Sequence, residues 1–351
     1  MGTVQTITNS VKSYGRALAA ACYAGMPGFL AGLKGKATIL TYHRVLPQSE
    51  LTAQDFQLGM YVSVDAFDRQ MQFLKRHCTV LSFADLLAMW SAKQWDAEQR
   101  YCLVTFDDGW LDNYLHAFPL LKQHEIPATI FLPTDYIGTD RWFWPDLVSW
   151  LWSRWSERPE TEQRRVWHTV RTRHACCEGF EPALMSHDVN GLIEGCKAQS
   201  YNRIDAFVQE WADALRLPLP SERQVLDWDE VKEMSRAGIS FGSHSMTHKI
   251  LTTVSNEELQ QELLGSWDTL RRHLDHVLPV FCYPNGNWDE AIGQAVAAAG
   301  YEAAVTTEFG YEEPDPRSLF GLKRINVHQS VAYNNNLFAL HLAGWNRIFM
   351  A

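Results

Sequence analysis

Cysteine is sparse and unpatterned, with seven residues in 351, no C-x-x-C pair and no repeated spacing. A disulfide framework is therefore excluded, and reduced thiols in a cytosolic setting are the expectation. Cys176 and Cys177 are adjacent, which is too close for an ordinary disulfide between them. Basic charge is also short, with 31 Lys and Arg against 41 Asp and Glu and a formal net charge of −10. A nucleic-acid or other polyanion surface needs a strong basic cluster. The densest group, Arg164, Arg165, Arg171 and Arg173, reads instead as one solvated helix face. Repeats and low-complexity segments are missing too.

No apolar run is long enough to cross a membrane. From Ala17 to Leu33 there is no charge, but Gly25, Pro27, Gly28 and Gly32 break the stretch. A signal peptide would need an early basic start, whereas Lys12 and Arg16 come late and the first ten residues are uncharged. Val4, Ile7, Val11, Tyr14 and Leu18 recur at three- and four-residue spacing, which predicts a helix packed on the domain or lying at a membrane surface. The expectation is a cytoplasmic protein, peripheral at the inner membrane through this segment, with export left open.

What is present is a soluble composition, 46% hydrophobic and 21% charged, and a repeated theme. Short apolar runs end in chemically capable residues. Thr38 to Tyr42 leads into His43 and Arg44, and Tyr101 to Phe106 into Asp107, Asp108 and Gly109. Ala128 to Leu132 precedes Pro133, Ile239 to Phe241 precedes His244, and Val280 to Tyr283 precedes Asn285 and Gly286. Ala303 to Thr306 leads to Glu308. Helical patterns lie between the runs: Phe67, Met71 and Leu74 share one face, and Leu259, Leu263 and Leu270 another. Alternating strands and helices predict a parallel α/β sheet, open or closed into a barrel, with functional groups at the C-terminal strand ends.

The stretch from about 140 to 223 breaks this rhythm. It is helical, charged and rich in Trp, and reads as an insertion on the rim with helices of its own. Trp142, Trp144, Trp150, Trp152 and Trp155 suit either a stacking platform for sugar rings or the core of the insertion, the latter being the commoner use of such residues. Trp110, directly after the Asp pair, is the better placed for substrate contact.

His244 and His248 stand four residues apart, so one helical turn would set both imidazoles toward a shared metal ion; exposed or capping histidines are the bland alternative. Asp107 and Asp108 are adjacent carboxylates at a strand end, costly to desolvate together without a cation or a shared proton. Asp-Asp-Gly also suits a turn and a helix cap. A division of labour explains more: one Asp binds metal, the other acts as general base, and two His with one Asp leave a position for water.

Thr105-Phe106-Asp107-Asp108-Gly109 followed by His244-Ser245-x-x-His248 resembles the NodB-like polysaccharide deacetylases (carbohydrate esterase family 4), and Phe281-Cys282-Tyr283-Pro284-Asn285-Gly286 looks like that family's third motif. The opening Leu40-Thr41-Tyr42-His43-Arg44-Val45 resembles the branch acting on bacterial surface or lipid-linked polysaccharides. The resemblance spans roughly residues 37 to 330. It implies a distorted, incomplete (β/α) barrel; the expected division is an N-terminal helical segment at 1–35 and a catalytic domain at 36–351 that carries the helical insertion at about 140–223. It implies Asp107 as base and Asp108, His244 and His248 as ligands of one divalent ion, most simply zinc. The reaction implied is hydrolysis of the N-acyl, foremost N-acetyl, amide of an amino sugar in a polysaccharide or lipid-linked glycan. Asn285 would hold the oxyanion through its backbone N–H, with Tyr283 and Trp110 beside the substrate.

Two departures from the family pattern stand out. An arginine near the start of the third motif, which pairs with the catalytic Asp, is replaced by Cys282; Arg324 is the candidate substitute. The late Leu-x-His motif that supplies the general acid is not clear. His328, His341 and His43 are the candidates.

Overall fold

The computed structural model describes residues 15–51, 59–173 and 188–345. Val4 to Tyr14 of the N-terminal pattern and the Cys176–Cys177 pair lie outside them.

Seven parallel strands close on themselves. They are β1 (Lys36–Tyr42), β5 (Arg100–Phe106), β6 (Ala128–Leu132), β7 (Ser240–Ser243), β8 (Val280–Cys282), β9 (Ala303–Phe309) and β10 (Leu322–Asn326). β1 pairs with β5 along its whole length and with β10 on its other edge, which completes the ring. Three short strands stand outside it: β2 (Arg44–Leu46) pairs with β3 (Tyr61–Ser63), and β4 (Thr79–Val80) lies against the start of β5. The barrel is uneven. β7 and β8 share one registered pair, Ser243 with Phe281, and the register between β9 and β10 shifts between Leu322 and Arg324.

Strand periodicity sets what faces inward. Successive side chains alternate sides, so Ala37 and Ile39 of β1, Leu103 of β5, Val280 and Cys282 of β8, Val305 and Leu322 pack together in the interior. Leu40, Tyr42, Val104, Phe106, Ile130 and Phe241 take the other face, against the surrounding helices. Phe67, Met71 and Leu74 of the helix Val64–His77 are buried in that outer layer. The interior register, carried upward, points Thr41 then His43, and Thr105 then Asp107, at the C-terminal mouth.

Between β6 and β7 the chain forms helices Trp144–Ser156, Glu160–Arg173, Val189–Lys197 and Tyr201–Leu215 around a core of their own. Val148, Leu151, Val170, Phe207 and Trp211 are buried there, each contributing about 1.5–3 kcal/mol. Trp152 and Trp155 turn into this core, with Trp150 packed against it, so these three form no exposed platform. Residues 15–24 are helical and rest Ala20 on Leu337 and Leu340 of the helix Asn335–Leu342. No helix among the described residues is long and apolar enough to cross a membrane.

Candidate active site

β5 ends at Phe106, and the chain turns at once: Asp108 has φ 72° and Gly109 φ 63°. Asp tolerates the left-handed region better than most residues. Gly109 suits its left-handed φ, and an added Cβ would lie 2.7 Å from Leu132 Cδ2 and force that side chain to shift. The turn separates the two carboxylates. Asp107 follows the interior register, and Asp108 swings sideways toward β7. Both are buried.

Arg324 reaches Asp107 from β10, the strand that closes the barrel. Its two terminal nitrogens donate to Asp107 Oδ1 and Oδ2, each at 2.7 Å. Nε donates to the Thr306 carbonyl at 2.8 Å, and the remaining donors meet Thr105 Oγ1 and Cys282 Sγ, each at 3.3 Å. All five guanidinium N–H groups are thus used, which is how a charge this deeply buried is tolerated. Burial alone would raise the Asp107 carboxyl, but the Arg324 charge and its hydrogen bonds outweigh it and hold the group below the usual carboxylate range. Cys282, standing where an arginine was expected, takes part in this set through its sulfur.

His244 and His248 are brought together by a non-helical loop, which corrects the expected helical turn. Ser245 and His248 have φ of 64° and 56°. The loop is fastened from inside: Ser245 Oγ accepts from the His248 N–H at 3.0 Å, and Ser243 Oγ from the Ser245 N–H at 3.1 Å. Buried Glu262, on the helix Asn256–His273, accepts from the N–H groups of Met246 and Thr247, each at 2.8 Å, and from the Thr247 hydroxyl.

The Nε2 atoms of His244 and His248 lie 3.4 and 3.2 Å from one atom, Asp108 Oδ1. Ligands about 2.0–2.1 Å from a tetrahedral ion stand about 3.3 Å apart, so each imidazole is spaced from the carboxylate as a fellow ligand would be, and all three donor atoms lie within 4.8 Å of one another. Their supports suit the same use. His244 Nδ1 faces the Cys282 carbonyl at 2.8 Å, leaving Nε2 its lone pair, and Trp110 Nε1 donates to Asp108 Oδ2 at 3.0 Å. A second grouping, Asp107 with His244 and Cys282, is close in space but unsuited. Both Asp107 oxygens are occupied by Arg324, and burial pushes the Cys282 thiol up, keeping it protonated.

His43 projects from the end of β1 with Nε2 3.9 Å from Asp107 Oδ2 and Nδ1 buried without a partner. Burial lowers its pKa more than the nearby Asp108 and Asp107 carboxylates raise it, so the imidazole rests neutral. His328 turns its Nδ1 to Ser330 Oγ at 2.7 Å, and is pushed down to about 4 by burial, His341, Arg16 and His43. His341 is buried in the C-terminal helix and bonded to the Asn326 carbonyl at 2.8 Å. Neither shows contact with the Asp pair. Asn285 sits exposed at the mouth on a left-handed turn of φ 59° after β8.

Two expected substrate contacts are corrected. The Tyr283 ring is fully buried, stacked near Trp288, with its hydroxyl spent on the Phe320 carbonyl at 3.0 Å. Trp110 is buried as well, with Arg44 4.3 Å above its ring, and serves Asp108 rather than solvent. Sequence reasoning also missed three participants. Asp112 binds Arg44 at 2.8 Å and so fixes what covers Trp110. Glu262 holds the histidine loop. Asp146, in the first turn of the helix Trp144–Ser156, has its carboxyl pushed up to about 7 by burial, against the pull of Arg44 and with the help of Asp108. No local motif marks any of them.

Comparison with known proteins agrees with this geometry. The family model described as polysaccharide deacetylase matches residues 95–304. YxkH of Bacillus subtilis is 21% identical over 229 residues, which cover 65% of this chain and 52% of that protein. The chain thus spans about half the length of YxkH. The poly-beta-1,6-N-acetyl-D-glucosamine N-deacetylase of Staphylococcus aureus is 23% identical over 246 residues, covering 67% of this chain and 80% of that one. In fold, the chain is similar to the Streptococcus pyogenes deacetylase PplD, with TM-score 0.56 and 22% identity over 87% of this chain and 97% of that one. With the family model matched across more than half its length and the Asp-Asp and His-His motifs converging at the mouth of a parallel barrel, the chain belongs to the polysaccharide deacetylase family.

Proposed function

We propose that this protein hydrolyses the N-acetyl amide of an amino sugar in a polysaccharide or lipid-linked glycan precursor, using one divalent ion, zinc by its donor set. The observation that carries this reading is the division of the Asp pair: Asp107 is reserved by Arg324, while Asp108 meets two imidazoles. The N-deacetylase name of the Staphylococcus aureus relative supports the bond and the sugar class.

Asp108, His244 and His248 would hold the ion, which when bound supplies a Lewis acid at the amide carbonyl. Asp107, fixed on one side by Arg324, takes a proton from the attacking water. Neutral His43 beside it receives that proton and delivers it to the amine nitrogen as the C–N bond breaks. Water is consumed, a carboxylic acid and a free amine leave, and both side chains return to their starting states. The backbone N–H of Asn285 is assigned to the oxyanion. A cytoplasmic site of action, peripheral at the membrane through the N-terminal segment, belongs to the same proposal. Attachment through this segment is supported by exposed Leu18 and Met26.

The test is acetate release by zinc-loaded protein from N-acetylglucosamine oligomers and from lipid-linked amino sugars. Release that disappears in Asp107→Asn is expected. Full activity in that variant, or a protein that neither binds zinc nor changes in His244→Ala, overturns the reading.

A further inference from the structure

The His43 ring has no hydrogen bond to steer it among the described residues. Nδ1 is buried without a partner, and Nε2 stands 3.9 Å from Asp107 Oδ2, beyond hydrogen-bond reach. Its direction is therefore set by packing and by the backbone that carries it. That backbone is a break in regular structure, since β1 ends at Tyr42 and β2 begins at Arg44.

The peptide groups around the break are tied down one by one. The Tyr42 carbonyl accepts from the Asp107 N–H at 3.0 Å, and the Arg44 N–H donates to the Met60 carbonyl at 2.9 Å. Two neighbouring side chains take the next groups. Asn113 Nδ2 donates to the His43 carbonyl at 2.8 Å, and Asp112 Oδ1 accepts from the Val45 N–H at 2.8 Å. Asp112 Oδ2 accepts from Arg44 Nε at 2.8 Å, and Asn113 Nδ2 also reaches Asp112 Oδ1 at 3.3 Å, which joins the pair. Chemistry fixes which end of the Asn113 amide faces His43, because only its NH2 can donate to a carbonyl.

Both residues are buried, and Asn113 Oδ1 has no partner. An unsatisfied buried acceptor costs stability, so an apolar side chain of the same size would serve packing better. What the amide adds is its bond to His43. Asn113 also opens a π-helical turn, Asn113–Ala117, a rare geometry that recurs at functional sites.

The ladder between β1 and β5 ends with Tyr42 opposite Phe106. Beyond it, the loop that begins with Asp107 binds two consecutive carbonyls, Tyr42 through the Asp107 N–H and His43 through Asn113. One stretch of chain thus carries the base and holds the backbone of the imidazole beside it.

We propose that Asp112 and Asn113 are positioning residues, a clamp on the His43–Val45 backbone that keeps His43 Nε2 beside Asp107 while the proton is carried. The proposal rests on the role given to His43 above and extends it to two residues that act through its backbone. Proton transfer demands close placement, and a displacement of about 1 Å can cost about a hundredfold in rate.

The experiment measures kcat, KM and zinc content for acetate release from N-acetylglucosamine oligomers. Asn113→Leu keeps the bulk and removes the donor; kcat should fall about tenfold to a hundredfold with KM and zinc content unchanged. In a His43→Gln background the same substitution should change kcat by no more than about twofold, because the group it positions is gone. Equal losses in both backgrounds, or native kcat in Asn113→Leu, overturn the clamp. Asp112→Asn keeps an oxygen for the Val45 N–H and should show a smaller loss with the same dependence on His43. It decides the question by the same criterion where Asn113→Leu does not fold. Native kcat in His43→Gln overturns the role of His43 and the clamp with it, while zinc-dependent acetate release stands. If the native protein releases no acetate, the deacetylase reading fails separately, and nitrogen NMR of the histidine rings decides the clamp. A His43 signal, assigned by its loss in His43→Gln, that shifts or splits in Asn113→Leu supports it, and one that stays in place overturns it.

Discussion

Arg324 holds both oxygens of Asp107 at 2.7 Å from a strand 217 positions further along the chain. Removing one partner of such a pair leaves a buried charge alone. Arg324→Met should therefore lose about 3–5 kcal/mol of stability in urea unfolding. The double variant Arg324→Met with Asp107→Asn should recover part of that loss, because the stranded charge is gone. A double variant no more stable than the single one contradicts the pairing.

The same contact sets an acid limit. The folded pKa of Asp107 lies below its unfolded value, so the contribution is complete above the ordinary carboxylate pKa of about 3.9 and is lost as pH falls through the folded value. Melting temperature followed across the acid range should show this loss in the native protein, and a reduced one in Arg324→Met. Identical acid limbs would assign the loss to other carboxylates.

His43→Gln should cut kcat by about 10²–10⁴ while zinc content stays unchanged. Because His43 works from its neutral form and burial lowers its pKa, kcat should hold as pH drops below about 6.5, the ordinary histidine value, and fall further down. An acid limb above that value in the native enzyme would exclude His43 as the proton carrier.

Trp110→Phe keeps the ring and removes the N–H that steadies Asp108. Zinc affinity, measured by competition with a chelator, should weaken about 10–100-fold with little change in fold. Unchanged affinity would make Trp110 a packing residue alone.

Glu262→Ala takes the acceptor away from three donors of the histidine loop at once. With a cost of about 1–3 kcal/mol for each buried group left unsatisfied, the melting temperature should fall and zinc binding weaken together. Glu262→Gln, which keeps an acceptor, should lie between. A stable variant with native zinc affinity would show that the loop holds itself.

Much of the site was legible because strands alternate. Runs such as Tyr101 to Phe106 ending in Asp107-Asp108 read directly as interior strands delivering groups to one barrel mouth, and β5 is such a strand. β10 was not read as a strand, because Lys323 and Arg324 interrupt its apolar pattern and the hydrophobic signal disappears where the buried charge sits. The tyrosine and tryptophan assignments failed for a related reason. Proximity in sequence to a catalytic residue does not say which way a ring turns, and both Tyr283 and Trp110 gained more from burial and a hydrogen bond than from solvent.

What the sequence by itself determined is the local chemistry of Asp107, Asp108, His244 and His248, since residue type and position at a strand end depend on neighbours along the chain. The tertiary structure alone decided how Arg324 reaches both oxygens of Asp107, what clamps the histidine loop, and which insertion residues stand beside His248. Those outcomes depend on Arg324, Glu262 and Trp144, whose partners are brought to them by barrel closure and helix packing rather than by spacing in sequence.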